Sequence, residues 1–218
     1  MPLTRDQIAR RAARELRNGD YVNLGVGIPM LVANHVPPGV EVILHSGHGV
    51  LGLGPSPKPD EMDPDLVSVE TTLATIVPGA ALIPTIDSFG LIRGGKLDVA
   101  IMGAMQVSAT GDIANWAAPN AAPRGMGGAM DLAVGVRRLV VTMEHVTRSG
   151  ELRILDRCTL PLTGVACVDR IITDYCVLDV TPEGLALREL APGVTAEEVQ
   201  AITQPRLIVD ADVREIAN

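Results

Sequence analysis

Apolar residues in this chain come in short runs, and most runs end at glycine, proline or a charge. Val42-Ile43-Leu44, Leu97 to Met102 and Arg138 to Met143 have the length and composition of buried strands. Helical spacing appears first at Thr4 to Asn18, where Ile8, Ala12 and Leu16, with Ala9 and Ala13, share one face. Thr4 and Gln7 make a capping box, and Asn18-Gly19 is a stop signal. The pattern then predicts a strand at Tyr21 to Leu24, a glycine turn, and the first turns of a helix from Met30 to His35. After the turn at Pro37-Pro38-Gly39 comes a strand over Val40 to Leu44. Pro55 to Pro64, rich in proline and acid, reads as an exposed loop. Strands are predicted at Thr75 to Val77 and Ala80 to Ile83, on either side of Pro78-Gly79.

The second half predicts a helix from about Asp131, a strand over Cys167 to Leu178 and a hairpin turn at Glu183-Gly184. A helix capped by Thr195 runs through Ile202, and Leu207 to Val209 is a last short strand. Strands alternate with helices, and no repeat or linker divides the chain. The expectation is a single α/β domain over residues 1–218, with an open sheet flanked by helices. The sheet should be largely parallel, and mixed because of the late hairpin.

Composition narrows the picture. Hydrophobic residues make up 47% of the chain but aromatics only 2%, so the core must be built from Ala, Val, Leu, Ile and Met. No apolar run is long enough for a membrane span, and the start, MPLTRDQIARR, lacks the apolar stretch of a signal peptide. A net charge of −8 argues against a nucleic-acid surface. Cys158, Cys167 and Cys176 form no CxxC pair, and their number is odd. That pattern argues for a reducing cytoplasm and against a disulfide framework or a metal site.

The candidate chemistry centres on Leu44 to Gly54, LHSGHGVLGLG. Ser46-Gly47-His48-Gly49 stands where a buried strand ends, the usual place for chemistry in α/β proteins. If the strand stays extended, Ser46 and His48 lie on the same side of it. His48 is then a candidate general base and Ser46 a candidate alcohol nucleophile. The plainer alternative is that both bond neighbouring backbone. Gly25 to Pro29 joins a strand to a helix start, which suits an anion site or simply a tight turn. The missing third glycine and Pro29 weigh against a dinucleotide fingerprint.

The same segment resembles the β subunit of the family I 3-oxoacid CoA-transferases, whose Ser-Glu-Asn-Gly tetrad carries the nucleophilic Glu. Ser46 and Gly49 match that tetrad, while Gly47 stands at the Glu position and His48 at the Asn position. The similarity runs nearly end to end, through Asn18 to Pro29, Leu51 to Pro55, Ser88 to Ser108, Gly111 to Trp116, Arg124 to Leu132, Val141 to His145 and Arg157 to Gly164. The departures cluster in the tetrad, in Val67 to Thr72 and in Ala117 to Gly125. Scaffold text is kept while pocket text changes, which points to a repurposed pocket. The small residues of Ala117 to Ala122 suggest a roomier one.

The resemblance implies an acyl-CoA thioester as substrate, no bound cofactor, and an α-like partner in an αβ or α2β2 assembly with the active site between the two chains. The glycine pairs Gly25/Gly27 and Gly127/Gly128 can present backbone N–H groups to a thioester oxyanion or enolate, and with Gly49, Gln106 and Asn115 they are the candidate substrate-binding residues. In the family mechanism the Glu carboxylate attacks the thioester, forming an anhydride and then glutamyl-CoA. Gly47 has no side chain to do this. Glu70, in an altered loop, either restores a carboxylate or is solvated. Glu144-His145 belongs to retained scaffold text and reads as structural. Three readings follow: a non-transfer enzyme (hydrolysis, decarboxylation, or cleavage or formation of a C–C bond), a genuine transferase using another carboxylate, or a catalytically silent binding subunit.

Overall fold

A computed structural model describes residues 1–67, 73–117 and 125–217. Helix α1 (Arg5–Ala13) starts as its sequence dictates: Thr4 Oγ1 accepts from the Gln7 N–H and the Gln7 side chain accepts from the Thr4 N–H. It ends before Asn18. The N–H groups of Arg14, Glu15 and Leu16 bond three residues back, to Arg11, Ala12 and Ala13. That tighter turn carries Glu15 beneath the sheet, where its carboxylate accepts from Arg11 (2.6 Å), Arg170 (2.8 Å) and Arg138.

The strands that follow are β1 (Tyr21–Leu24), β2 (Ile43–Ser46), β3 (Val50–Leu53), β4 (Ile76–Leu82), β5 (Val99–Gly103), β6 (Gln106–Ser108), β7 (Ile113–Ala114), β8 (Arg138–Met143), β9 (Ile154–Leu155), β10 (Arg170–Thr173), β11 (Cys176–Thr181), β12 (Gly184–Leu190) and β13 (Ile208–Glu215). Helices α2 (Ile28–Leu31), α3 (Thr85–Arg93), α4 (Ala129–Gly135) and α5 (Ala196–Ala201) connect them. Ten strands form one sheet in the order β13-β12-β11-β10-β8-β5-β1-β2-β3-β4, and β7-β6-β9 form a small second sheet. The central β10, β8, β5, β1 and β2 are parallel, with antiparallel strands on either flank. The mixed, largely parallel α/β sheet expected from the sequence is therefore present.

Both faces of the sheet are covered, so its central strands read as continuous apolar runs rather than alternating ones. Alternation along β5 sends Val99 and Ile101 to the side of α1 and α2, and Ala100 and Met102 to the side of α3, α4 and α5.

Several boundaries differ from expectation. β2 lies later than Val40 to Leu44, because its pairing with β1 begins at Tyr21↔Ile43. The tetrad is not extended: β2 and β3 pair antiparallel through Ser46↔Val50, so Gly47-His48-Gly49 is a hairpin turn. Gly49 has φ +120°, and a Cβ there would collide with the Ile83 carbonyl oxygen. Gly49→Ala should therefore cost about 3 kcal/mol or more, from backbone strain plus overlap. A denaturant midpoint unchanged by the substitution would refute this.

The two strands predicted around Pro78-Gly79 are one edge strand, β4, where proline is tolerated because no neighbour needs its N–H. The helix starting at Met30 begins at Ile28, with Gly27 as its cap and Pro29 in its first turn. The helix expected from Asp131 begins at Ala129. Cys167 to Leu178 is two strands, β10 and β11, folded back at Asp174-Tyr175. α3 had no sequence prediction. The last strand extends to Glu215.

Candidate active site

A cavity of about 540 Å³ opens at the carboxyl ends of β1, β2 and β5, where parallel sheets place their ligands. Asn23, Leu24 and Gly25 form one wall, and Gly47 and His48 of the hairpin turn another. Thr85, Phe89 and Ile92 of α3, Met102 to Met105, Asn115, Trp116 and the start of α4 complete it. Among the described residues lining it, His48 is the one acid or base side chain; there is no Asp, Glu, Lys or Arg.

The turn brings Ser46 and His48 together even though the chain is not extended there. His48 Nε2 lies 2.9 Å from the Val67 carbonyl oxygen, which can only accept, so Nε2 carries the proton. Nδ1 is then the acceptor, 3.0 Å from Ser46 Oγ, whose hydroxyl donates to it. Ser46 itself is 1% exposed and does not line the cavity. Its hydroxyl is placed to partner His48 rather than to meet a ligand.

Behind the turn lies a polar chain with no counterpart among the sequence expectations. Asn23 Nδ2 donates to His45 Nδ1 (2.8 Å), His45 Nε2 donates to Ser88 Oγ (2.7 Å), and Ser88 Oγ donates to the Gly47 carbonyl (2.8 Å). All three side chains are buried. Burial, with the nearby His48, pulls the His45 pKa down to about 4, so the imidazole is neutral. Part of the signal was in the sequence: Asn23 is a polar residue inside an apolar strand run and His45 directly follows one, and the parallel register pairs them.

The other candidates divide. Gly25, Asn115, Gly127 and Gly128 line the cavity. Gly25 cannot offer its N–H, which is spent on the Ile101 carbonyl (2.8 Å). The N–H groups of Gly47, His48, Gly127 and Gly128 donate to no protein acceptor among the described residues. Gly128 also makes room for Phe89, whose ring would lie 2.7 Å from an added Cβ. Asn115 is tied to Thr163 Oγ1 (2.6 Å) and the Gly103 carbonyl (3.2 Å).

Gly27, Gly49 and Gln106 fall outside the cavity lining. Gln106 instead clamps the loop at Thr159 and Leu160, whose N–H groups its Oε1 accepts at 2.8 and 3.1 Å. Glu70 and Ala118 to Arg124 lie outside the described residues. His145 is a core residue, its two ring nitrogens bonded to Thr173 Oγ1 (3.0 Å) and Thr203 Oγ1 (2.9 Å). Burial pushes the Cys158 and Cys167 thiols up to about 11 and Cys176 to about 12; none lines the cavity. No helix among the described residues is long and apolar enough to cross a membrane.

These groups set an acid limit on the fold. Burial lowers His45 and His145 to about 4, below the usual value of about 6.5. The unfolded chain therefore takes up protons first, and stability drains as pH falls from about 6.5 to 4. Burial alone would raise Glu15, but hydrogen bonds from Arg11 and Arg170 outweigh it and hold it at about 2. Its contribution is complete above about pH 4.3 and is lost as pH falls toward 2. Thermal unfolding should show Tm falling in these two stages, with Glu15→Gln weakening the lower one. A Tm flat from pH 7 to 4 would contradict the assignment.

Known proteins place this geometry in context. A family model described as coenzyme A transferase matches residues 5–201. The chain is 47% identical over 208 residues to the B-type subunit of 3-oxoadipate CoA-transferase from Acinetobacter baylyi, covering 94% of this chain and 95% of that one. It is 46% identical over 212 residues to human mitochondrial succinyl-CoA:3-ketoacid coenzyme A transferase 2, covering 96% of this chain but 41% of that longer protein. In structure it superposes on the acyl-CoA transferase YdiF of Escherichia coli O157:H7 with a TM-score of 0.77 at 21% identity, spanning 99% of this chain and 44% of that one. The decarboxylase AibA/AibB gives 0.67 at 21% identity, over 98% of this chain and 89% of its own. With a family match over most of its length and near-full-length relatives at this level of identity, the chain belongs to the coenzyme A transferase family.

Proposed function

We propose that this chain is the B-type subunit of a heteromeric enzyme that works on an acyl-CoA thioester without passing the acyl group through an enzyme carboxylate. One observation carries the reading. Gly47 borders the cavity with open space where a side chain would stand, and no carboxylate lines that cavity among the described residues. The partner is an α-like subunit, as the names of the near-full-length relatives suggest.

The chemistry that remains is that of a thioester in a largely apolar pocket. N–H groups of Gly47, His48, Gly127 and Gly128 are placed to steady negative charge developing on the thioester oxygen. His48 Nδ1 is the available base; it takes a proton when the Ser46 hydroxyl gives up its bond. Hydrolysis, decarboxylation, and cleavage or formation of a C–C bond beside the thioester share these needs. The fold neighbour AibA/AibB is a decarboxylase by name.

The assembled complex should therefore consume an acyl-CoA, with acetoacetyl-, 3-oxoadipyl- and succinyl-CoA as first probes, when no carboxylic acid acceptor is present. Free CoA or a shortened acyl product would appear. Turnover that strictly requires an acceptor acid would instead favour a second reading, genuine CoA transfer with a carboxylate from Glu70 or the partner. The 47% identity to one chain of a 3-oxoadipate CoA-transferase supports that second reading. Tight assembly without turnover of any thioester would mark a silent binding subunit.

A further inference from the structure

The buried chain behind the hairpin turn has a direction, and both ends fix it. At one end, Asn23 Nδ2 also reaches the His45 carbonyl oxygen (3.2 Å), which can only accept. The Asn23 amide must therefore present its NH2 group to His45, so His45 Nδ1 is unprotonated and Nε2 carries the hydrogen. At the other end, the Gly47 carbonyl can only accept, so the Ser88 hydroxyl points at it and receives from His45 Nε2. One neutral tautomer satisfies every contact. Nothing in the chain is left to choose its own orientation.

From this we infer that His45 is a positioning residue: through Ser88 it locks the Gly47–His48 peptide plane and so sets the direction of the His48 N–H. The peptide bonds here are trans, so the N–H lies opposite the C=O across one rigid plane. Ser88 is fully buried and is not part of the cavity wall, whereas Gly47 and His48 are. Holding the carbonyl toward Ser88 turns the N–H the other way. A glycine at this position would otherwise let the peptide flip at little cost. The same chain leaves Oδ1 as the polar atom Asn23 can offer the cavity. This inference rests on the reading of the turn N–H groups as donors to a thioester oxygen.

The test labels this chain alone with 15N-histidine and reconstitutes it with its unlabelled partner. The chain has four histidines, so the spectrum is sparse. At pH 7 the unsubstituted complex should show His45, assigned by its loss in His45→Gln, as the neutral Nε2–H tautomer. An Nδ1–H tautomer or an imidazolium would overturn the relay whatever the turnover.

Kinetics on the thioester found to turn over give the second arm. His45→Leu and Ser88→Ala should lower kcat by about 10²-fold, the scale of losing one oxyanion donor, with KM changed only a few-fold. His45→Gln keeps an acceptor for Asn23 and a donor for Ser88, and should recover kcat to within about fivefold of the unsubstituted complex. Equal loss in His45→Gln and His45→Leu, or a rise in KM with kcat intact, would overturn the positioning role. Should His45→Leu not fold, Ser88→Ala and His45→Gln carry the comparison. The two arms fail separately: if no thioester turns over, the functional reading falls while the tautomer still decides the relay.

Discussion

Replacing Gly47 by Glu should raise the CoA-transfer activity of the assembled complex. The backbone permits the substitution. Gly47 is outside the left-handed region, and an added Cβ meets nothing within 4 Å. The side chain would extend beside the cavity, and a carboxylate there is the nucleophile the family mechanism uses. A gain of roughly 10²-fold in CoA transfer to a carboxylic acid, about 2.7 kcal/mol of barrier, would be a modest return for restoring a covalent route. Hydroxylamine should trap the new glutamyl thioester on this chain. A folded complex with neither transfer nor adduct would mean that the altered segments have also lost substrate binding for that reaction.

His48→Ala should lower turnover by about 10²- to 10⁴-fold, the range for removing a general base. Stability should fall much less. His48 is exposed, and the main loss is a partner for the buried Ser46 hydroxyl, worth about 1 kcal/mol. His48→Gln sharpens the comparison, since an amide still reaches the Val67 carbonyl but has no basic nitrogen to accept a proton. Both variants should be inactive. Retained turnover in either would return His48 to the plainer role of tethering the turn to the backbone.

Where the sequence was legible, the determinants were local. Thr4 with Gln7 and Thr195 with Glu198 each close a capping box within one helical turn, and both helices start where these residues place them. β1 and β8 occupy the stretches their apolar runs marked. α3 was opaque because its cap is Pro84, which makes no side-chain bond, and Gly90 interrupts its face. β2 moved because its limits are set by register with β1, a partner about twenty residues away. The small sheet β7-β6-β9 is built from strands too short to show a period.

The site follows the same rule. Ser46 and His48 were visible because two positions apart is close enough to reason about. Asn23, His45 and Ser88 meet across 22 and 43 residues of sequence, and only the sheet and α3 bring them together. Gly49 and Gln106 lie outside the cavity lining, where Gly49 packs against the Ile83 carbonyl and Gln106 holds the loop at Thr159.

The most direct measurement is the intact mass of this chain after the assembled complex has been exposed to its acyl-CoA and quenched in acid. If the chain contributes no carboxylate nucleophile, its mass stays that of the unmodified polypeptide while thioester is consumed. A species heavier by coenzyme A, sensitive to hydroxylamine and mapped to any Glu or Asp of this chain, would contradict that.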